Sequence, residues 1–586
     1  MTGDSDPTPA RTILPEPRSA AEPSGTESDE AKPRKDRRRV LVQAGTLTAG
    51  ALVASTVVDP FALASGRVRR WGIGTTQAPP GSTWSSPSLP TTSPSSAPTI
   101  TSSGLPTYAL PSGTAATPNL LGQDPVWHLL RRATYGPTPQ SVADLRARGA
   151  NAWLNSQLNP SSIDDSACNA YLAAAYPSLS KSVMQIRSAY SVGSWDAMVE
   201  LGEAKIARSI MSKRQLFEMM VEFWHDHLHV ASPSGDVWDV MTSYDRDVIR
   251  PYALGRFSDL LLASAKHPAM LRILNNDQSS VDTLNENYGR ELLELHTVGV
   301  QAGYTQAEVV DSARILTGWT VGRHGEFAYY NDWHYTGPVK VLGFSATNAD
   351  EFGGLTLGTQ YLDYLAHHPA TARRIAYKLA VRFVSDYPSA ALVDKLATIY
   401  LNNDTAIPPM LGALFTDTEF LNSYGAKVRR PFEAVTSSVR AVGLTPKSGV
   451  SDSFASMNYL LQGMGHQPMA WHAPNGYPDT AEDWLSTGGT LGRWNLYTGV
   501  LGGWWSDGYT LNAPTTLLSG TTPANLGALV DAMTNRLLGV TFASAHRQAL
   551  LDFLNSWGAA TVSNVMQYRL DVLGTLILSS PYGLQR

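Results

Sequence analysis

The chain has 586 residues, 43% hydrophobic and 16% charged, with a net charge of −5, which is length enough for about two to four average domains and a sizeable buried core. So mild a charge, with a pI near 6.2, excludes the strong basic field of a nucleic-acid binder and gives no steering toward a membrane surface or an acidic polymer. The single cysteine, Cys168, rules out an intramolecular disulfide and reads as a small buried residue rather than a nucleophile.

Taken in chain order, residues 1–31 are rich in Pro, Ser, Thr, Asp and Glu and hold too little apolar surface to offset the entropy of ordering. Lys32, Arg34, Lys35, Arg37, Arg38 and Arg39 follow, leading into Val40–Val58, which is uncharged, and then Ala62-Leu63-Ala64. A basic region, an uncharged stretch and a small-x-small site are the parts of an export signal. The run Asp36-Arg37-Arg38-Arg39-Val40-Leu41-Val42 resembles the twin-arginine consensus, with Asp36, Val40 and Val42 departing from the usual Ser/Thr, Phe and Lys. Residues 1–64 are therefore expected to be a twin-arginine-type signal with a disordered n-region, read by the twin-arginine translocation machinery. No transmembrane span is expected to remain after cleavage, the competing reading being a retained anchor. That route carries folded proteins, which suits a chain without disulfides, and it places the mature protein in the cell envelope or outside the cell.

Residues 65–120 are dominated by Pro, Ser and Thr, as in Thr91-Thr92-Ser93-Pro94, and read as a linker or stalk. From residue 121 to 586 the pattern changes. Apolar residues recur at three and four in Leu216–Phe223, Phe257–Leu262, Val309–Leu316, Ala372–Val384, Leu411–Phe420, Leu526–Leu538 and His546–Trp557. The expected fold is mainly α: a large multi-helical domain, in one or two lobes, with little β structure and with long irregular loops at Gly322–Gly343 and Pro468–Gly492.

Three constellations could carry chemistry. In Phe223-Trp224-His225-Asp226-His227-Leu228-His229, three histidines crowd the end of an apolar helical run. His225 and His227 are expected to hold a divalent transition metal, since neutral imidazole is a favoured ligand. The competing reading is packing at a helix terminus. In Asn285 to His296, a helix capped by Asn285 projects Asn287, Glu291 and Glu294 from one face, with Arg290 able to pair with Glu286 or Glu294. The third is the loop around Asp332, His334 and Lys340, placed like the rim or lid of a site. The aromatic stretch Gly463 to Asp479 could line a groove or cover the core.

These stretches together resemble the bacterial DUF1800 family, a domain of unknown function. The resemblance is carried by His128-Leu129-Leu130-Arg131-Arg132-Ala133-Thr134-Tyr135-Gly136, Phe223 to His227, Pro268 to Leu271, Asn285 to Gly299, Ala313 to Trp319, Lys340 to Gly343 and Lys378-Leu379. The family often has Asn where Asp226 stands and His-Asp where this chain has His334-Tyr335. The resemblance implies a mostly helical exported domain and no particular reaction.

The composite expectation is an exported enzyme whose site joins His225 and His227 with Asn287, Arg290, Glu291, Glu294 and His334. Imidazoles bind a metal or act as base, a carboxylate serves as acid/base and Arg290 neutralises developing charge. Hydrolysis of a cell-envelope or extracellular polymer is the first version and oxidative metal chemistry the second. The competing class is a non-catalytic envelope protein that binds a polymer or an exported partner.

Overall fold

The computed structural model describes residues 104–114, 118–447, 450, 454–504, 508–521, 523–556, 558 and 560–586. The expected export signal, residues 1–64, and the first part of the expected linker lie outside the described residues. Helices dominate, and among the described residues the strands form three two-stranded antiparallel pairs. No described helix is long and apolar enough to cross a membrane. The mainly helical expectation holds.

The part of the stretch expected as a linker that is described runs against the body. Leu105 is buried, Tyr108 stacks on Arg373 at 4.7 Å, and the Leu120 amide donates to Gln585. Helix α1 (Pro125–Ala133) follows. It is capped by Asp124, whose carboxylate accepts from Val126 and Trp127, with proline in its first turn.

Further along the chain, beyond several shorter helices, come α2 (Asp196–Met211) and α3 (Gln215–His227). Along α3, Leu216, Met219, Met220, Phe223 and Trp224 are buried. Glu218, Glu222 and Asp226 recur every fourth residue and so share another face. Leu228 leaves helical geometry and ends α3 immediately after His227. Two π-helical turns, in which the chain holds one residue more per turn, then occur at Tyr244–Ile249 and Leu292–His296. The second continues helix α4 (Asn287–Glu291).

The segment Gly322–Gly343, expected as a long loop, instead contributes to two hairpins. Strand β1 (Trp319–Val321) pairs with β2 (Phe327–Tyr329), and β3 (Val339–Val341) with β4 (Phe344–Ala346). Strands of three residues bounded by Gly and Pro leave too short an alternation to be read as strands. The β3–β4 turn places Leu342 and Gly343 both at positive φ, the geometry that two-residue hairpins favour.

Helix α5 (Pro369–Phe383) begins with His368, whose ring accepts from the Ala370 amide, followed by proline at the first position. Ala372, Ile375, Ala376, Leu379, Ala380 and Phe383 fill its buried side. Arg374, Lys378 and Arg382 recur every fourth residue on another. It packs along α6 (Ala390–Asn402). Helix α7 (Pro431–Val442) starts at Arg430, and α8 (Thr487–Gly502) takes up the last residues of the Pro468–Gly492 segment expected as loop. Cys168 is buried, and burial pushes its thiol up to about 12, which makes it inert as read.

Candidate functional site

The acidic face of α3 and the basic face of α5 meet at the centre of the fold. Glu222 takes Arg430 at 2.8 Å, Arg382 at 3.2 Å and the Tyr135 hydroxyl at 2.6 Å. Glu433 pairs with Arg382 at 2.8 Å and Arg586 at 2.7 Å. Burial opposes ionisation of Glu222 and Glu433, but the surrounding guanidinium groups more than reverse it, and both carboxyls lie below their ordinary range. Arg132 donates to the Phe383 and Val384 carbonyls, satisfying the C-terminal end of α5. Arg132 and Tyr135 thus use the first motif of the chain to hold this centre.

One turn along, the environment changes. Asp226 meets Arg430 at 3.2 Å and keeps 15% of its side chain accessible. Asp479 keeps 19%, and Lys205 and Lys378 are also half-buried although they lie deep in the protein. Each of these deep groups keeps some accessible surface. The loop from Trp471 to Asp479 packs over them. Gly476, at φ 69°, rests on the Asp226 carbonyl so closely that a Cβ there would lie 2.0 Å from the carbonyl oxygen. His466 packs between Tyr477 and Trp484 with ring centroids 4.4 and 4.6 Å away. The aromatic stretch therefore covers the polar centre.

The four histidines of this region have separate environments. His227 Nε2 faces the His296 carbonyl at 3.0 Å, so that nitrogen must carry the hydrogen. Its Nδ1 then presents a lone pair to the Lys378 ammonium or amine at 3.1 Å. Burial, with Lys378 and Arg374 beside it, holds His227 well below its ordinary pKa and keeps it neutral. His225 meets Asp245 at 2.9 Å, Asp245 standing on the first π turn with Arg208 at 3.6 Å. Burial first, against the Asp245 bond, brings His225 down to about 4. The His229 ring lies 3.1 Å from the His225 carbonyl and 2.7 Å from the Trp471 carbonyl; burial lowers its pKa, and the neutral ring donates its one N–H to either, which sets the covering loop against the end of α3. His296, on the second π turn, is buried with neither ring nitrogen hydrogen-bonded to a described residue.

Lys378 is the most chemically poised of these groups. Burial and then Arg374 pull it down to about 7, against the opposing pull of Asp226 and Asp479. Asp226 moves the other way: burial raises it, and Arg430 only partly restores it. A base and an acid are thus both brought toward neutrality within electrostatic reach of each other.

The residues expected at the site from sequence are distributed as follows. His225 and His227 both lie at this centre, but each ring has its own protein partner. Among the described residues no three His, Cys, Asp or Glu side chains converge as metal ligands. Asn287, Arg290, Glu291 and Glu294 are half-buried. Arg290 pairs with Glu286 at 3.1 Å and takes Gln306 at 3.0 Å, rather than reaching Glu294. Burial and then Glu294 raise Glu291, while Glu294 interacts with Tyr304 and Arg374, which makes this helix the outer flank of the centre. His334 is buried elsewhere, between the Thr317 carbonyl at 2.9 Å and Asn348 Oδ1 at 3.1 Å, against Tyr329. None of its described partners touches His225 or His227.

Sequence reasoning missed Lys378, Asp226, Arg374, Lys205 and Asp479 as a group. A usable signal was present in the four-residue steps of α3 and α5, opposite in sign and set within apolar helices.

A family model described as a protein of unknown function (DUF1800) matches residues 128–582. The chain belongs to the DUF1800 family. No curated protein and no solved structure matches it. For this DUF1800 protein the arrangement of side chains, rather than any relative, must carry the functional reading.

Proposed function

We propose that this DUF1800 protein is an exported acid–base enzyme that hydrolyses a cell-envelope or extracellular polymer, with Lys378 as general base, Asp226 as general acid and His227 as the residue that positions Lys378. The observation that carries this reading is Lys378 itself: an amine that burial brings down to about 7, hydrogen-bonded to an imidazole whose tautomer is fixed, within electrostatic reach of a carboxyl group raised by burial. A neutral Lys378 that donates one hydrogen to His227 Nδ1 has its lone pair directed elsewhere, toward a substrate. It takes a proton from water as the water oxygen bonds to the substrate carbon. The leaving oxygen departs with its bonding electrons and takes the proton of Asp226. Lys378 ends as ammonium and Asp226 as carboxylate, and solvent restores both.

The test is release of soluble fragments from envelope polymers by the purified mature protein, followed against pH. Activity rising through about pH 7 and falling at least about a hundredfold in Lys378→Met supports the reading. Asp226→Asn, the residue that the family often has there, separates the acid from the base. Equal activity in wild type and Lys378→Met ends the proposal. Failure to release fragments from any polymer, with specific retention of one of them, favours the non-catalytic envelope protein.

Export rests on the basic cluster, the uncharged stretch and the Ala62-x-Ala64 site, together with a body whose one cysteine is buried. N-terminal sequencing of secreted protein is expected to begin after Ala64, and blocking the twin-arginine route is expected to leave the precursor inside the cell.

A further inference from the structure

Along α5, three cations stand one turn apart, and their surroundings differ in kind. Arg382 has three carboxylates within ion-pair distance: Glu433 at 2.8 Å, Glu222 at 3.2 Å and Asp479 at 3.5 Å. Arg374 and Lys378 have none within that distance among the described residues. Arg374 donates Nε to the Leu295 carbonyl at 3.3 Å and leaves its two terminal nitrogens without a described partner. It lies deep in the protein yet is half-buried rather than closed off. Gly299, at φ 79°, makes room for it, since a Cβ there would lie 2.9 Å from Arg374 Nη1.

A second observation comes from another element. His296 is 1% exposed, and both of its ring nitrogens are buried without a partner among the described residues. Its chain neighbour Leu295 accepts from Arg374 at 3.3 Å, and the charges of Lys378 and Arg374 act on its ring. A neutral imidazole carries one N–H donor, and a buried donor left unmatched is destabilising. The terminal nitrogens of Arg374, which no described residue takes, and the unmatched ring of His296 are both suited to an oxyanion with several lone pairs.

We infer that Arg374 and His296 form an oxyanion-binding subsite that holds a carboxylate, phosphate or sulfate carried by the substrate next to Lys378. The inference rests on the acid–base reading of this centre for its position, and it narrows the substrate class to polymers with anionic groups. Arg374 supplies the charge and the two-pronged donor, and His296 supplies a neutral donor. Lys378 gains affinity for its proton when the anion is bound, so anion binding strengthens as pH falls through 7.

The experiment is isothermal titration of the full mature protein with D-glucuronate, inorganic phosphate and sulfate in chloride buffer, where no turnover is required. At least one of the three is expected to bind with a Kd on the order of 1 mM. Arg374→Gln is expected to weaken that binding at least about tenfold, as removal of one charge-assisted contact does. His296→Asn, which keeps the packing and one donor, serves as a second variant should Arg374→Gln fold poorly, and weakens it by a smaller factor. Lys378→Met retains binding but abolishes its rise below about pH 7. Preference for glucuronate points to uronic-acid polymers and preference for phosphate to phosphodiester polymers. No binding of any of the three, or binding unchanged in both Arg374→Gln and His296→Asn, overturns the subsite. Because binding is read without catalysis, anion binding by the wild type together with a fully active Lys378→Met sinks the acid–base reading alone, and an inactive Lys378→Met together with a wild type that binds no anion sinks the subsite alone.

Discussion

Arg382 and Lys378 lie on the same helix one turn apart, yet one is closed into a network and the other is left open. Arg382 is 1% exposed and has three carboxylates around it. Lys378 meets a neutral imidazole and, among the described residues, no carboxylate within ion-pair distance. Burial acts on both. At Arg382 the neighbouring carboxylates outweigh it and raise the guanidinium pKa, whereas at Lys378 burial wins and the amine falls to about 7. A cation that its surroundings neutralise serves the fold, and one that they leave unbalanced is available for proton transfer.

The largest expected effect follows from removing one member of the closed set. Arg382→Met leaves Glu222 and Glu433 short of a partner in the interior and is expected to cost about 3–5 kcal/mol. Lys378→Met removes a poorly compensated charge and is expected to be neutral or stabilising at neutral pH. Urea unfolding of the two variants decides between them. A Lys378→Met as damaging as Arg382→Met would erase the distinction between the two positions.

The pH dependence sharpens the same contrast. Lys378 ordinarily titrates at 10.5 and in the fold at about 7. Between those values the unfolded chain binds the extra proton, so stability rises with pH across the window, and the cost of the buried cation is fully present below it. The stability advantage of Lys378→Met over wild type is therefore expected to be greatest near about pH 6 and to vanish near about pH 10. Histidine gives the acid side. His225 falls from 6.5 to about 4, burial leading, so it is neutral in the fold while the unfolded chain is protonated. Stability is lost as pH falls from 6.5 toward 4, and His225→Leu is expected to reduce that slope by up to one proton. A slope unchanged in the variant would mean that His225 is not the group titrating there.

Much of the fold was legible because it is local. Three-and-four periodicity marks α3 and α5, and proline after a capping residue marks the starts of α1 and α5. The segment His225 to His229 was rightly singled out as dense in polar groups. Its chemistry was not legible, because the partners come from far along the chain: Asp245 on a π turn, the His296 carbonyl, Lys378 on α5 and the Trp471 carbonyl. A π turn leaves no apolar pattern of its own, so neither Asp245 nor His296 stood out. The face of Asn287, Glu291 and Glu294 was legible as a helix face, but spacing alone does not separate a solvated row of charges from one that meets an opposite row. Glu218, Glu222 and Asp226, at steps of four, make a comparable helix face and reach Arg250, Arg382 and Arg430.

The smallest expected effect tests that last point. Arg290 has 35% of its side chain exposed, and its partner Glu286 has 38%. An ion pair in water gains little Coulomb energy and loses side-chain entropy, so Arg290→Ala is expected to change stability by no more than about 0.5 kcal/mol. Its effect on polymer cleavage should be equally slight, since Arg290 turns toward Glu286 and Gln306 and leaves Glu294 to Tyr304 and Arg374. Arg374→Gln, one layer further in, is expected to weaken anion binding at least about tenfold. If Arg290→Ala instead reduced cleavage as much as Arg374→Gln, the site would extend out to the Asn287–Glu294 face, and the division between solvated flank and working centre would have to be drawn outside Arg290.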